Sequence, residues 1–323
     1  MKFGSVAFFK RLIVAGFALM VVLPVVLAVV FGILYSGEKS AAADLAAQNL
    51  ALEAQLATPD TPEAASIPPT LNTQAPADTQ PDLAPTPEEY YPGQSFDYQA
   101  LYPHLYAERP EVVDSSDKIC YLSFDDGPSD TTLRVLDTLK AFGVKATFFV
   151  TGRNSRDNPE ILQAIVEAGH TVGVHSWSHE YDSIYSSVEA FLEDFELMYS
   201  EILQTTGVAP TVFRFPGGSV NKYNQYTYNA IVAEMLRRGF VFYDWNAAGS
   251  DAVEGGLSST EVSNNVLNSA TGRRRALVLL HDRDDNGTTA DALPSIIRGL
   301  QNQGFTFAAL SAEVPPITFY YDE

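Results

Sequence analysis

The chain has 323 residues, 46% of them hydrophobic, which is enough for one large domain with additional segments. Its formal net charge of −20 is uneven: residues 1–35 contain Lys2, Lys10, Arg11 and no acidic residue, so the rest of the chain carries −23. A surface this acidic argues against nucleic acid or anionic lipid as the partner of the soluble part. We therefore expect no nucleic-acid partner.

An uncharged run of 24 residues, Leu12 to Tyr35, lies near the N-terminus. A helix of this length can cross a hydrocarbon core of about 30 Å. Lys10 and Arg11 precede the run, so the positive-inside rule predicts a cytoplasmic N-terminus. A signal peptide cleaved near Ala41-Ala42-Ala43 is the alternative, but the apolar region of such peptides is usually only about 7–15 residues long. We predict that residues 1–37 form an uncleaved, single-pass anchor in the cell membrane, with the remaining chain extracytoplasmic.

Residues 38–92 are predicted to be a disordered linker that leads to a domain at 93–323. Thr58 to Pro92 contains nine prolines in 35 residues, mixed with Thr, Ala and acidic residues, and such a segment cannot bury a core. The tyrosine-rich stretch from Tyr90 to Tyr106 should pack on the domain that follows. Because Cys120 is the single cysteine, no intramolecular disulfide can form, and we expect it to be a small buried hydrophobe.

From Ile119 onward, short apolar runs alternate with helical patterns, which is typical of a parallel sheet or a barrel. The predicted strands are Ile119–Phe124, Ala146–Thr151, Thr171–His175, Thr211–Phe215, Phe240–Trp245, Ala276–His281 and Phe305–Ala308. The predicted helices are Thr131–Phe142, Pro159–Ala168, Val188–Gln204 and Gln225–Arg238. A glycine stands where each of these helices should end.

Two adjacent carboxylates, Asp125 and Asp126, follow the first apolar strand and precede Gly127-Pro128. Neighbouring residues of a strand point to opposite sides, so both carboxylates cannot face solvent if the strand is buried. Two like charges at the end of a core strand are costly unless a cation, usually a metal, compensates them. A simple turn is the alternative, because Asp-Asp-Gly-Pro is good turn chemistry.

Four further polar motifs end predicted strands. His175 and His179 are four residues apart, a spacing that on a helical turn brings two imidazoles to one metal. Arg214-Phe215-Pro216-Gly217-Gly218 offers backbone N–H groups in a flexible loop. Asp244-Trp245-Asn246 sets a carboxylate beside an aromatic ring, and Leu279-Leu280-His281-Asp282 delivers a histidine. Each motif alone is compatible with packing or a turn, but all lie at carboxyl ends of strands, where (β/α) barrels form their active sites.

Together these motifs resemble those of the polysaccharide deacetylases, carbohydrate esterase family four, which share the NodB homology domain. The resemblance covers about residues 118–312, with Ser-Phe-Asp-Asp-Gly-Pro, His-Ser-Trp-Ser-His, Arg-Phe-Pro-Gly-Gly, Asp-Trp and Leu-Leu-His in the family's order. It implies an α/β fold, a distorted (β/α) barrel of about seven strands, preceded here by the transmembrane helix and the linker.

The resemblance also implies a divalent metal bound by Asp126, His175 and His179. The metal is usually zinc, with cobalt or manganese as alternatives. Two imidazoles and one carboxylate leave an open position for a water molecule. Asp125 would be the general base that takes the proton of this water, and Arg214 would orient the base.

The remaining roles concern the leaving group and the sugar. His281 would protonate the departing amine, with Asp244 as the carboxylate that pairs with it. The oxyanion would be stabilised by the metal and by a backbone N–H near Gly217. Trp177 and Trp245 would form walls of the substrate groove. Many family members have an aromatic residue directly after the proline of the third motif, at the position of Gly217.

The function implied is metal-dependent removal of acetyl groups from N-acetylglucosamine residues of a cell-wall polysaccharide. Peptidoglycan is the first candidate, because an anchored domain on a long spacer would reach the wall just outside the membrane. Chitooligosaccharide deacetylation and acetyl-xylan ester hydrolysis are the enzymatic alternatives. A wall-binding protein that has kept the fold and lost the reaction is a further alternative, but none of the expected catalytic residues is substituted in this chain.

Overall fold

A parallel sheet forms the centre of the computed structural model, which describes residues 95–253 and 255–320. The strands are β1 (Ile119–Asp125), β2 (Thr147–Thr151), β3 (Thr171–Ser176), β4 (Val212–Phe213), β5 (Val241–Phe242), β6 (Ala247–Ala248), β7 (Arg275–His281) and β8 (Thr306–Phe307). Their order in the sheet is β5-β4-β3-β2-β1-β7-β6, and β8 pairs with the start of β1. Each of the described pairings is parallel, which confirms the predicted α/β class.

The sheet is an incomplete barrel. Its two ends are β5 and β6, and in the part of the chain that the structure describes no pairing joins them. All seven predicted strands are present, although those predicted over 211–215, 240–245 and 305–308 keep only the two residues of β4, β5 and β8. The strand β6 was not predicted, because Ala247-Ala248 is too short to form an apolar pattern.

Helices connect the strands. They are α1 (Asp130–Phe142), α2 (Gly152–Asp157), α3 (Pro159–Glu167), α4 (Tyr181–Ile184), α5 (Val188–Thr206), α6 (Tyr228–Arg237), α7 (Ser259–Ala270) and α8 (Gly287–Asn302). The four predicted helices correspond to α1, α3, α5 and α6, and the other four were missed. The limits of α5 show the expected signals, because the Ser187 hydroxyl accepts a hydrogen bond from the Ala190 N–H and Gly207 ends the helix with φ 74°.

The two faces of β1 belong to different layers. Leu122 and Phe124 face outward into a core shared with the helices, whereas Tyr121 belongs to a smaller cluster formed by strands and the C-terminal segment. Because side chains alternate along a strand, Ser123 and Asp125 point to the same inner side as Tyr121. The inside of the sheet is therefore apolar at one end and polar where β1 finishes.

The segment 95–107 packs on the domain, as predicted for this tyrosine-rich stretch. The fully buried Arg238 donates hydrogen bonds to the carbonyl oxygens of Leu101 (2.8 Å) and Tyr102 (3.0 Å), and its own carbonyl accepts one from the Ala107 N–H at 2.8 Å. A Cβ atom at Gly239 would lie 2.0 Å from the Ala107 carbonyl oxygen, so only glycine fits there. Arg238 and Gly239 come just before β5, so the segment is attached towards the N-terminal ends of the strands.

The predicted anchor (1–37) and linker (38–92) lie outside the described residues. Within residues 95–253 and 255–320, no helix has the length and apolar character needed to cross a membrane. The anchor, the linker and the domain limits remain predictions.

Candidate active site

The predicted site residues meet at the carboxyl ends of the strands. Asp125 ends β1, and its register partners are Phe149 of β2 and His281 of β7. His175 lies near the end of β3, and Arg214 directly follows β4. The candidate base and the candidate acid therefore start from adjacent strands.

Asp126, His175 and His179 form the predicted metal cluster. The Asp126 Oδ1 atom lies 3.5 Å from Nε2 of His175 and 3.4 Å from Nε2 of His179. One potential ligand atom from each residue falls within 4.8 Å of the others. Ligand atoms about 2.0–2.2 Å from a tetrahedral zinc ion would be about 3.3–3.5 Å apart, so these spacings suit such an ion.

Two observations test whether this cluster fits a cation. The Asp126 Oδ1 atom is buried and has no hydrogen-bond partner in the structure, whereas buried carboxylate oxygens are normally satisfied. The Nδ1–H of His175 donates to the carbonyl oxygen of Arg214 at 2.8 Å, which leaves Nε2 as the lone-pair atom facing Asp126. The residues present therefore fit a divalent cation.

The backbone geometry of the cluster differs from the predicted one. His179 does not follow His175 on a helical turn: β3 ends at Ser176, and His179 lies in a loop with φ 59°. Asp126 follows the end of β1 and has φ 73°. The side chains of Asp125 and Asp126 therefore point in different directions because the backbone bends there, and not from strand alternation alone. Burial, followed by the charge of His175, lowers the pKa of His179, which favours the neutral imidazole that metals require.

Arg214 contacts the candidate base, Asp125. Its side chain is fully buried, and its Nη1 atom donates to Oδ1 of Asp125 and to the Ser123 hydroxyl, both at 2.8 Å. Its other nitrogens donate to the carbonyl oxygens of Tyr243 (2.8 Å) and Asp244 (3.1 Å). The second oxygen of Asp125 is 3.9 Å from Nε2 of His175, so one carboxylate oxygen is fixed by arginine and the other faces the metal cluster.

The predicted pairing of Asp244 with His281 is wrong. The Asp244 carboxylate accepts hydrogen bonds from the Ser219 N–H (2.8 Å), the Ser219 hydroxyl (2.6 Å) and the Phe319 N–H (2.6 Å). Burial raises its pKa, and these hydrogen bonds act against that rise. Asp244 thus joins the loop after Gly218 to the C-terminal segment.

The carboxylate that pairs with His281 is Asp251, which the sequence reading missed. Its Oδ1 atom lies 2.9 Å from Nδ1 of His281, and its Oδ2 atom accepts hydrogen bonds from the His281 N–H (2.8 Å) and the Thr289 hydroxyl (2.5 Å). Asp251 follows β6 by three residues, so it does lie beyond a strand end like the other site residues. The prediction failed because the two-residue β6 was not recognised.

The pKa values of this pair move in opposite directions. Burial by itself lowers the pKa of His281, but the hydrogen bond and charge of Asp251, with the charges of Asp125 and Asp126, raise it to about 9. Burial acts to raise the pKa of Asp251, yet its bonds to His281 and Thr289 bring it below the usual value. Both shifts favour an imidazolium–carboxylate pair near neutral pH.

Asp282 fixes the turn that follows the two neighbouring carboxylates. Its side chain accepts hydrogen bonds from the Gly127 N–H (3.1 Å) and the Thr132 hydroxyl (2.5 Å), and its backbone N–H donates to the Asp125 carbonyl at 3.1 Å. A Cβ atom on Gly127 would lie 2.5 Å from the Asp282 carboxylate, so the turn needs glycine there. Burial raises the pKa of Asp282 to about 7.

The Gly217 loop is covered by an aromatic ring from another element. Gly217 has φ 75°, and a Cβ atom there would be 2.6 Å from the ring of Tyr181 in α4. The Tyr181 ring also makes an edge contact with His179 and packs near Tyr223, with centroid distances of 5.2 and 5.1 Å. Tyr181 therefore occupies the space into which a side chain at position 217 would project.

The two tryptophans have different surroundings. Trp177 packs against Gly152, with the Arg156 guanidinium 4.6 Å from the centre of its ring. Trp245 makes an edge contact with Phe319 at 5.0 Å and lines a cleft of about 570 Å³ together with residues that include Asn246 and Ser250. Their predicted contact with a sugar remains a prediction.

Comparison with known proteins adds independent evidence. Residues 113–236 match the family model described as polysaccharide deacetylase. A peptidoglycan-N-acetylglucosamine deacetylase of Bacillus cereus is 31% identical over 210 residues, which are 64% of this chain and 74% of that protein. The chain belongs to the polysaccharide deacetylase family. A bifunctional xylanase/deacetylase of Pseudobutyrivibrio xylanivorans is 38% identical over 195 residues, which are 60% of this chain but only 30% of that protein.

A solved structure supports this assignment. The catalytic domain of the peptidoglycan N-acetylglucosamine deacetylase from Eubacterium rectale superposes with a TM-score of 0.62 at 35% identity, over 66% of this chain and 98% of that domain. As a polysaccharide deacetylase, the chain is a hydrolase of a family that acts on N-acetyl amide bonds.

The Asp251–His281 pair yields a first prediction. In the metal-free protein, Asp251→Asn removes the charge and weakens the hydrogen bond that stabilise the imidazolium, so the pKa of His281 should fall from about 9 towards its ordinary 6.5. NMR titration of the five histidines measures this value directly. Asp244→Asn serves as the control and should leave the pKa of His281 almost unchanged. A fall in the pKa of His281 in Asp244→Asn, with no change in Asp251→Asn, would instead support the Asp244–His281 pairing predicted from the sequence.

Proposed function

We propose that this protein hydrolyses the acetamide of N-acetylglucosamine residues in peptidoglycan and releases acetate, with the help of a divalent metal. The observation that carries the proposal is the arrangement around the Asp126–His175–His179 cluster. Asp125, held by Arg214, faces it from the end of β1, and His281, held by Asp251, lies beside Asp125 at the end of β7. Amide hydrolysis needs this combination, because a base must activate water and an acid must protonate the amine.

The metal would be held by Asp126, His175 and His179, with zinc as the first choice and cobalt or manganese as alternatives. When bound, a divalent cation supplies Lewis-acid chemistry: it polarises the acyl oxygen and lowers the pKa of a water molecule. The chain contributes the orientation of the ligands, since the Arg214 carbonyl fixes the tautomer of His175.

Asp125 is the general base of the proposed reaction. Its Oδ1 atom is bonded to Arg214, so the free Oδ2 atom, on the side of the metal cluster, accepts the proton of the attacking water. Because Arg214 is fully buried and bonded to Oδ1 of Asp125, it restricts the rotation of the Asp125 side chain. The water oxygen bonds to the acetyl carbon, and the acyl oxygen takes up the negative charge. A backbone N–H near Gly217 donates a hydrogen bond to that oxygen.

His281 is the general acid. Its pKa of about 9 keeps the imidazole protonated at neutral pH. Because Asp251 accepts from Nδ1, the other nitrogen, Nε2, carries the proton that can be given away. The proton moves to the sugar nitrogen as the C–N bond breaks, so that a neutral amine and acetic acid leave. The acid then ionises to acetate in solvent, and the proton taken up by Asp125 is exchanged through solvent to restore the protonated His281.

The choice of glycan rests on the relatives and on the sequence. The Bacillus cereus and Eubacterium rectale proteins are named for peptidoglycan, and the predicted anchor and linker would place the domain at the wall. The xylanase/deacetylase relative favours acetyl-xylan as the second candidate. Chitooligosaccharides are the third, because they present the same acetamide.

Acetate release tests the choice of substrate. Purified protein loaded with Zn²⁺ should release acetate from isolated peptidoglycan faster than from chitin oligomers or acetyl-xylan, measured side by side at equal acetyl concentration. Asp125→Asn is the matched inactive control. Preference for acetyl-xylan would replace the proposed substrate with the second candidate.

The two neighbouring carboxylates should respond differently to substitution. Asp125→Asn keeps an oxygen that can accept from Arg214, so the protein should bind metal normally but lose activity by about 10²–10⁴-fold, the typical contribution of a general base. Asp126→Ala removes a metal ligand and should weaken Zn²⁺ binding sharply. Calorimetric titration of both variants with Zn²⁺ tests these roles. If Asp125→Asn loses the metal while Asp126→Ala retains it, Asp125 is the ligand and Asp126 the base.

We also propose that residues 12–35 anchor the protein in the cell membrane with the domain outside. The basis is the uncharged run and the preceding Lys10 and Arg11.

Protease added to intact cells should then digest residues 93–323 while untreated protein sediments with membranes. A cytoplasmic protein expressed in the same cells serves as the control for lysis. Recovery of a soluble secreted chain shortened near Ala43 would contradict the anchor and support the cleaved signal peptide.

A further inference from the structure

One carboxylate outside the catalytic cluster is surrounded by hydrogen-bond donors. Asp194 lies on α5, and its Oδ2 atom accepts from the Ser176 hydroxyl (2.7 Å) and the Trp177 N–H (2.8 Å). Its Oδ1 atom accepts from the N–H (2.8 Å) and the hydroxyl (2.6 Å) of Ser178. All four donors come from residues 176–178, the end of β3 and the loop that joins it to His179.

This loop holds His179 in an unfavourable backbone conformation. His179 has φ 59°, in the left-handed region that residues other than glycine adopt uncommonly. Such a conformation persists only when its surroundings determine it. The Ser176 hydroxyl connects the two features, because it donates to Asp194 and accepts from the His179 N–H at 2.8 Å.

The charge of Asp194 is stabilised by the N–H and O–H groups of residues 176–178. A carboxylate can only accept hydrogen bonds, and it uses both oxygens here. An asparagine in place of Asp194 would replace one accepting oxygen with an NH₂ group. That group would face the N–H and O–H donors of residues 176–178. The site therefore needs a carboxylate and not merely a polar side chain.

We infer that Asp194 is a positioning residue for the metal site: through Ser176 and the backbone of residues 177–178 it sets the position of His179 relative to Asp126 and His175. The inference rests on the proposed function, because it assumes that these three residues bind a metal. On this inference, Asp194 of α5 keeps the imidazole of His179 3.4 Å from the Asp126 carboxylate. Loss of the contact should therefore change metal coordination, and not only the stability of the loop.

The test uses the full-length protein and Co²⁺, whose visible absorption reports ligand geometry. Asp194→Asn should bind Co²⁺ about 10–100-fold more weakly than the unaltered protein, the usual effect of removing a partner that orients a ligand. Its visible bands should also change in intensity. The matched control is Glu193→Gln, which removes the same charge from the neighbouring, exposed position of α5 and should leave both readouts unchanged.

A second variant keeps the test valid if Asp194→Asn folds poorly. Ser176→Ala removes only the connecting hydroxyl and should also weaken Co²⁺ binding, and the double variant should lose less than the sum of the two single losses. Unchanged Co²⁺ affinity and spectrum in both variants, with only a lower melting temperature, would overturn the inference and leave the metal site intact. Failure of the unaltered protein to bind Co²⁺ or Zn²⁺ would instead overturn the proposed function, and the inference with it.

Discussion

The buried guanidinium of Arg214 is the interaction on which the rest of the site depends. Its hydrogen bonds reach β1 through Ser123 and Asp125 and the end of β5 through the carbonyls of Tyr243 and Asp244. Its own carbonyl orients His175. A charge removed from water in this way is tolerated only with full pairing and hydrogen bonding. The guanidinium contacts therefore fix the proposed base, and the backbone carbonyl of the same residue orients His175, a proposed metal ligand.

The proposed acid and base are held by partners of opposite charge. An arginine binds Asp125, whereas a buried carboxylate, Asp251, binds His281. Asp251 favours the charged form of His281, so the proposed acid stays protonated near neutral pH. Arg214 instead fixes one oxygen of Asp125 in place. The strands β1 and β7 pair along their whole length, and Asp125 and His281 are the last register partners. The proposed base and acid are therefore neighbours, although each has its own charged partner.

The sequence predicts the parts of this site that depend on strong local patterns. Apolar strands ending in Asp125, His175, Arg214 and His281 are visible without a structure, and their shared location at strand ends follows from parallel topology. Interactions set by tertiary packing are not visible. Asp244 and Asp251 are both acids in loops, and only the two-residue β6 and the contacts of Phe319 decide which one meets His281.

Similar reasons explain the other differences. The spacing of His175 and His179 suits a helical turn, but the hydrogen bonds of Ser176 impose a loop instead. The helices α7 and α8 were missed because their apolar residues are interrupted by polar ones, and α8 contains Pro294. Pattern alone gives weak evidence for such helices, whose stability comes mainly from the tertiary packing of one face.

The attachment of segment 95–107 has a mechanical consequence. Arg238 and Gly239 hold this segment near the N-terminal ends of the strands, whereas the metal cluster lies at the opposite ends. A pull on the chain before Ser95 would therefore pass into the end of α6, where Arg237 contacts the Gln99 carbonyl (3.2 Å) and Arg238 contacts the Leu101 carbonyl (2.8 Å). Such a pull would thus reach the domain on the side of the sheet that lies away from the proposed metal cluster.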